Sequence, residues 1–452
     1  MRRRLTEASI LFISVLKWFA LASVVGLLVG GSTALFLWCL QWATGGLDNV
    51  PYHYALLPIA LFLSALIVQY LAPDAKGHGT EKVIEAIHQR AAIIKPLVVP
   101  VKLLATVVTL ASGGSAGKEG PCAQIGAGIS STRARLFRFD ETDRKKLVIC
   151  GVSAGLATVF GTPVAGALFG VEVLAIGQLQ YEVLFPSFVA GIVGYQVSTA
   201  FGTAYFHHPI SFVPSFSELF FFKVVLGGVA FGLVSFLFIE LLKLTERLSE
   251  RIHWWTPLKG LLGGTALLLT LLLGDRYLGL GLNTVESVLN GKTVGVGYDP
   301  FIKMAATAIT LSFGGSGGIV TPIFFIGATT GSFLAWVFGL DPATGAALGM
   351  VGKLAGCANT PISASVMALE LFGANLSPYA AVTCVVSFFI VGHRSVYPSQ
   401  IIGITKSASL SSDVGKTVEE MSDVTITSRE KSMVGVGLKV IRRFRAKSKS
   451  KR

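Results

Sequence analysis

The stretch VKLLATVVTLASGGSAGKEGPCAQIGA, residues 101–127, recurs later in the chain as IKMAATAITLSFGGSGGIVTPIFFIGA, residues 302–328. Each copy interrupts an apolar run with G-G-S-x-G and then a proline, residue types that break or end helices. In a membrane protein, glycine and proline breaks at corresponding positions of two halves are the best sequence indication of an ion or substrate site between repeats. We therefore predict a duplicated membrane protein whose broken helices meet at its functional site.

The duplication extends beyond these two stretches. A Thr-Pro pair followed by a glutamate occupies residues 162–172 and again residues 360–370, and a G-x-G triplet occupies residues 77–79 and 279–281. The motifs have the same order in both halves, so the halves are homologous repeats. We expect inverted topology, because matched broken helices then approach one point at the middle of the membrane from both sides.

The composition is that of a membrane protein. Hydrophobic residues make up 52% of the chain and charged residues only 14%, and the mean hydropathy is +0.67. Several apolar runs exceed the ~20 residues that cross a hydrocarbon core. The predicted fold class is therefore an all-α polytopic membrane protein of two inverted-topology repeats. The lipid bilayer is one of its expected partners.

The net charge of +13 is concentrated at the two ends of the chain. Three arginines, Arg2–Arg4, precede the first apolar run, and lysines and arginines dominate residues 439–452. The positive-inside rule predicts that both termini of a multi-pass plasma-membrane protein lie in the cytoplasm. A solvated tail beside the membrane explains the basic C-terminus better than nucleic-acid binding does, so no nucleic acid is expected as a partner.

These features divide the chain into four parts. Residues 1–9 are the predicted cytoplasmic N-terminus, residues 10–205 the first membrane repeat, residues 215–405 the second repeat, and residues 406–452 a basic cytoplasmic tail. Such a tail is too short for a regulatory domain of ordinary size.

The glycine-rich breaks predict an anion site. A helix that begins inside the membrane exposes N–H groups at the positive end of its dipole, which binds anions without any full charge. We expect four such helix starts, near residues 77–79, at 117–121, at 318–322 and near Tyr397. The alternative is that the glycines only allow helices to pack closely, although the duplication of the proline-closed clusters favours the anion site.

Glu119 is the most informative single residue. It is a carboxylate at the head of an apolar segment, where an unpaired charge is costly and functional by default. At a helix N-terminus its carboxylate can take the place of a permeant anion, and protonation would release it. Lys118 could be its salt-bridge partner, but adjacent residues in a helix do not face each other.

The other matched polar residues have simpler interpretations. Glu172 and Glu370 follow Thr-Pro at equivalent positions, which favours capped or paired acids over a role in transport. Lys102 and Lys303 are expected to snorkel or to pair with backbone carbonyls. The histidines and the five cysteines form no ligand pattern, so we expect no metal, no cofactor and no enzymatic activity.

With these residues assembled, the chain resembles the CLC family of chloride channels and chloride/proton antiporters over about residues 10–405. The motif at 117–121 is similar to the family's G-[KR]-E-G-P, and Glu119 then falls on the gating glutamate. The segment 318–322 is similar to G-x-F-x-P with Val320 in place of the usual Phe, and Tyr397 matches the tyrosine that faces the central anion.

The resemblance implies a set of site residues and an assembly. The residues implied for anion binding are His78, Gly79, Lys118, Gly318, Ile319, Val320 and Tyr397. Chloride is then the bound ligand, and the protein is a homodimer with a separate pore in each subunit. We expect no regulatory module of the CBS type after the second repeat, as in the simpler prokaryotic members of the family.

Two departures from the family pattern bear on mechanism. His78 stands where the family usually has serine, and its imidazole either donates an N–H to the anion or turns away and leaves binding to the backbone. Val173 stands where many antiporters of the family have a second glutamate for protons. The sequence therefore favours a passive, voltage- or pH-gated channel for chloride and similar monovalent anions. The alternative is a chloride/proton antiporter that uses the same anion path.

Overall fold

The computed structural model describes residues 2–48, 50, 52–203, 205, 207–210, 217–292, 297–421 and 424–426. The basic stretch at 439–452, on which the predicted cytoplasmic tail depends, lies outside the described residues, as do the side chains of Arg2–Arg4. Where it is described, the chain is almost entirely helical, which confirms the predicted all-α class.

Within the described residues, the two halves each contribute eight α-helices in the same order. The first half contains α1 (Arg2–Asp48), α2 (Leu57–Leu71), α3 (Thr80–Gln89), α4 (Val98–Ala111), α5 (Glu119–Leu136), α6 (Glu141–Phe160), α7 (Pro163–Glu172) and α8 (Tyr181–Ala200). The second half contains α9 (Glu218–Arg251), α10 (Thr256–Leu268), α11 (Leu282–Leu289), α12 (Asp299–Ser312), α13 (Val320–Phe338), α14 (Pro342–Ala358), α15 (Pro361–Phe372) and α16 (Ser377–Ile390).

Two small sheets complete the described part of the chain. Strand β1 (Ala175–Ile176) pairs in parallel with β2 (Ile401–Ile402), and β3 (Leu410–Ser411) pairs antiparallel with β4 (Thr425–Ile426). The helix start that the sequence predicted near Tyr397 is wrong, because the chain after Tyr397 turns into β2 instead. The pairing with β1 takes up the backbone groups of β2 and ties this segment to the end of α7.

Several helices in the described part of the chain have the length and polarity of membrane spans. Helices α1, α8, α9 and α13, together with a segment that includes α2, are long and apolar enough to cross a bilayer. Large apolar side chains lie exposed on their surfaces, for example Ile10 and Phe12 on α1 and Leu233 on α9. Water would not stabilise such a surface, whereas lipid chains cover it at no cost.

Reciprocal hydrogen bonds relate the two repeats by an approximate twofold axis. The Ser115 N–H donates to Thr310 Oγ1 at 3.1 Å, and the Ser316 N–H donates to Thr109 Oγ1 at 3.1 Å. In addition, the Ser115 hydroxyl lies 3.1 Å from that of Thr307. Each G-G-S motif is thus held by threonines of the opposite repeat, which explains why serine and threonine occur in both copies.

Candidate anion site

The two repeats meet at a contact between Gly117 and Gly318. The Gly117 N–H donates to the Gly318 carbonyl at 2.7 Å, and the Gly318 N–H donates to the Gly117 carbonyl at 2.5 Å. Helix α5 begins two residues after Gly117, and α13 begins two residues after Gly318. The first-turn N–H groups of both helices have no partner within their own helix and give each N-terminus a partial positive charge.

Glu119 places its carboxylate at the N-terminus of the opposite repeat. Its Oε2 accepts a hydrogen bond from the Thr321 N–H at 3.1 Å, and its Oε1 accepts one from the Thr321 hydroxyl. The side chain is only 3% exposed, so these donors replace water. A carboxylate therefore occupies the position in which the end of α13 would hold an anion. Sequence reasoning found Glu119 but missed Thr321.

The loop before α3 forms a third wall of the site. Gly79 has a φ of 79°, and a Cβ on it would lie 2.5 Å from the Gly120 carbonyl oxygen. A Cβ on Gly120 would lie 1.9 Å from the His78 carbonyl oxygen. Only glycine fits at both positions, because the two backbones touch. The glycines thus allow the close packing that one interpretation of the sequence pattern predicts, and they bring three helix N-termini together, as an anion site would require.

Buried lysines hold the two G-x-G loops in equivalent ways. Lys102 Nζ donates to the carbonyls of Ala75 at 3.1 Å and Gly77 at 2.5 Å. Lys303 Nζ donates to Tyr277 at 3.0 Å and Gly279 at 2.8 Å. These contacts agree with the predicted pairing of both lysines with backbone carbonyls, and they fix the backbone on which His78 and Gly79 lie.

Tyr397 and His78 meet at the site with unsatisfied polar atoms. Their ring centroids are 5.5 Å apart, and Tyr397 is fully buried. Neither the Tyr397 hydroxyl, which lies beside the Thr80 side chain, nor His78 Nδ1 has a hydrogen bond of good geometry within the described residues. Buried donors are rarely left without a partner, so these two atoms are well suited to contact a ligand.

The remaining predicted residues are distributed around this centre. Ile319 and Val320 are buried at the start of α13. Lys118 is partly buried at the N-cap of α5, and no carboxylate pairs with it in the part of the chain described. Val173 is fully buried at the end of α7, where its carbonyl accepts a hydrogen bond from Gln400 Nε2 at 2.7 Å.

An ion-pair cluster anchors α3 at the surface. Arg90 binds Asp74 at 2.9 Å and also contacts Glu85. Partial burial raises the pKa of Asp74, but the hydrogen bond from Arg90 and the charge of Lys95 outweigh it, so this pKa lies below its ordinary value. The pairs are half-exposed and contribute modestly to stability.

The broken helices, the duplicated motifs and the buried carboxylate define a multi-pass membrane transport protein for anions. A model of the voltage gated chloride channel family matches residues 60–392. The chain belongs to this family, the CLC proteins that its motifs resemble.

Three relatives illustrate the range of activities within the family. The chain is 38% identical over 400 residues to the chloride/fluoride channel protein of Pseudomonas syringae pv. tomato, covering 87% of this chain and 88% of the relative. It is 29% identical over 383 residues to the H(+)/Cl(-) exchange transporter ClcA of Klebsiella pneumoniae, covering 78% and 80%. The structure of a CLC-type fluoride/proton antiporter matches with a TM-score of 0.81 and 28% identity, over 86% of this chain and 98% of that one.

These similarities confirm the predicted CLC family, its all-α membrane fold and CLC-type anion transport. They favour the proton-coupled alternative over the passive channel that Val173 suggested, because two of the three named relatives exchange a halide for protons. Two of the three names also include fluoride, which the sequence did not point to ahead of chloride.

Proposed function

We propose that this protein exchanges a small halide, fluoride or chloride, for protons, and that Glu119 couples the two ions because its carboxylate binds the proton and competes with the halide for the N-terminus of α13. The observation that carries this proposal is the contact between the Glu119 carboxylate and Thr321. The remaining residues implied for anion binding would then line the same path, with Tyr397 and His78 offering their unpartnered polar atoms.

The coupling follows from competition between the halide and the Glu119 carboxylate for the N-terminus of α13. A halide can take the N-terminus of α13 only when the Glu119 carboxylate leaves it. Protonation favours this departure, because a neutral carboxyl interacts less strongly than a carboxylate with donors at a positive helix end. Binding of a proton and binding of a halide at this position therefore promote each other, and such linkage is reciprocal.

A passive channel is the second candidate, and Val173 is the observation that favours it. Its buried isopropyl group at the end of α7 cannot bind a proton. If no other residue carries protons on that side of the site, halide would pass without proton movement. Both candidates use the same anion path and differ only in coupling.

The deciding experiment uses purified protein in liposomes under a halide gradient, with fluoride and chloride tested separately. We expect halide efflux to drive protons uphill into the vesicles and the reversal potential to move with an imposed pH gradient. Reversal at the halide Nernst potential, unmoved by pH, would overturn the exchange proposal in favour of the channel. Glu119→Gln serves as the uncoupled control.

We further propose that the protein works as a homodimer with one pore per subunit in the plasma membrane, with both termini in the cytoplasm. The resemblance to the CLC family supports the dimer, and the basic residues at both ends of the chain support the orientation. Crosslinking in native membranes tests the dimer. Accessibility of a tag at each terminus to membrane-impermeant reagents tests the orientation.

A further inference from the structure

The proposed exchange needs a proton-binding group on the side of the site where Val173 lies. Helix α7 offers none there, because it ends in Glu172, a carboxylate that donors of α15 hold, and Val173 follows it. The segment from Tyr397 to Gln400 is the structural element that connects Val173 to the anion site. Gln400 binds the Val173 carbonyl from this segment, and Tyr397 contacts His78.

A second acid contacts the same segment. Glu81, in the first turn of α3, accepts hydrogen bonds at Oε1 from the Ser399 N–H, at 2.9 Å, and from the Ser399 hydroxyl. Ser399 lies next to Gln400, so Glu81 and Val173 approach neighbouring residues of one loop. In the sequence, Glu81 lies two residues after the G-x-G triplet that contains His78.

We propose that Glu81 is the proton-binding acid that serves the anion site from the face on which Glu419 is exposed, in place of an acid at position 173. This inference rests on the proposed halide/proton exchange. In the proposed transfer, a proton from solvent at that face forms an O–H bond at Glu81 Oε2. When that bond breaks, the proton passes to the Glu119 carboxylate and Glu81 returns to its charged form.

The two oxygens of Glu81 differ in a way that suits this role. Oε1 accepts both hydrogen bonds from Ser399, whereas Oε2 is buried and has no partner within the described residues. A protonated carboxyl keeps one oxygen as an acceptor and carries its hydrogen on the other. The contact with Ser399 can therefore hold Glu81 in place in both protonation states.

The surroundings of Glu81 connect the buried site with solvent. The Tyr397 phenol lies within electrostatic reach of both Glu119 and Glu81. Glu81 in turn lies within reach of its neighbour Lys82 and of Glu419. Glu419 is exposed, and its N–H binds the Pro398 carbonyl at 3.0 Å. Glu119, Tyr397, Glu81 and Glu419 are thus successive electrostatic neighbours between the buried carboxylate of Glu119 and the exposed Glu419, beside the loop from Tyr397 to Gln400.

Glu81→Gln separates proton transfer from structure. The amide oxygen keeps the hydrogen bonds from Ser399, but the side chain cannot bind a proton. We expect halide flux to persist while proton flux falls by about tenfold or more, as when a positioned acid is removed. Glu85→Gln is the matched control, because it removes the same charge one turn further along α3 and should leave proton flux unchanged. If Glu81→Gln keeps wild-type proton flux in a wild type that couples, the inference is wrong and the exchange stands.

A second measurement decides the case in which the wild type moves no protons, which would overturn the exchange itself. Infrared difference spectra recorded during a pH titration report the carbonyl band of each carboxyl that gains a proton. We expect one such band to be present in the wild type and in Glu85→Gln and absent from Glu81→Gln, while the bands of the other carboxyls remain. If every band shared by the wild type and Glu85→Gln is also present in Glu81→Gln, Glu81 does not bind the proton.

Discussion

Glu172 and Glu370 each cap the first turn of a helix in the opposite repeat. Glu172 accepts hydrogen bonds from the N–H groups of Ile362 and Ser363, at 3.0 and 2.7 Å, at the start of α15. Glu370 accepts them from the equivalent pair at the start of α7, at 3.1 and 2.7 Å. The duplicated pattern of Thr-Pro and a later glutamate therefore corresponds to reciprocal capping between α7 and α15. Each proline begins a helix, and the glutamate at or near that helix's end caps its counterpart.

The first prediction is that these two caps stabilise the fold and take no part in transport. Replacing either glutamate with glutamine removes a carboxylate from a positive helix end, which we expect to lower the free energy of unfolding by about 0.5–2 kcal/mol. The loss should be larger for Glu172, which is 5% exposed, than for the half-buried Glu370. Thermal unfolding in detergent measures the loss, and a change in the ratio of halide to protons would contradict the structural role.

The second prediction is that Glu119 gates the path. Glu119→Gln removes the charge that competes with the halide, and Glu119→Ala removes the side chain that blocks the end of α13. We expect both variants to retain or increase halide flux, to lose its dependence on external pH, and to lose proton coupling. Flux from liposomes at several external pH values is the measurement. Loss of all halide flux in a folded dimer would instead make Glu119 a structural residue.

The sequence predicted the parts of the site that depend on local backbone chemistry. The breaks at 117–121 and 318–322 do begin α5 and α13, because glycine and proline act through their own conformational limits. The loop at 77–79 likewise begins α3. The duplicated motifs predicted two repeats, because the same motifs recur in the same order in both halves.

Contacts between the repeats could not be predicted in the same way. The carboxylate of Glu119 reaches Thr321 only because Gly117 and Gly318 pair across the twofold axis. No spacing in the sequence encodes that pairing. The helix start predicted near Tyr397 is wrong for a related reason. Proline follows Tyr397 as it does at other predicted helix starts, but the chain after it pairs as β2 with β1, which is distant in sequence.

The third prediction concerns the hydroxyl of Thr321. Thr321→Val preserves shape and the backbone N–H but removes one of the two donors to Glu119. A hydrogen bond to a charged group contributes about 1.5–3 kcal/mol, so we expect a halide to displace the carboxylate at concentrations about tenfold lower or more. Halide flux against concentration measures this shift. Thr321→Ser keeps the hydroxyl and should behave as the wild type; an equal shift in Thr321→Ser would contradict the argument.

The fourth prediction separates the two matched lysines. Lys102→Met and Lys303→Met each leave two carbonyls without their buried donor, which we expect to destabilise the protein by about 1–3 kcal/mol. Only Lys102 holds the loop of His78 and Gly79, so only Lys102→Met should also weaken halide binding. Thermal unfolding and halide titration by calorimetry test both effects. Equal loss of affinity in the two variants would mean that the repeats contribute equally to the anion site.

The last prediction tests the unpartnered imidazole of His78. Its Nδ1 lies buried beside the Tyr397 ring without a hydrogen bond in the described part of the chain. If that ring donates to the halide, His78→Ala loses a hydrogen bond to an anion, and we expect affinity to fall about tenfold to a hundredfold. His78→Ser restores the small donor usual in the family and should recover part of the loss. Calorimetric titration with fluoride and with chloride then compares the two donors for each ion. Unchanged affinity in His78→Ala for both halides would mean that the ring turns away and that the backbone N–H groups of the helix ends bind the anion alone.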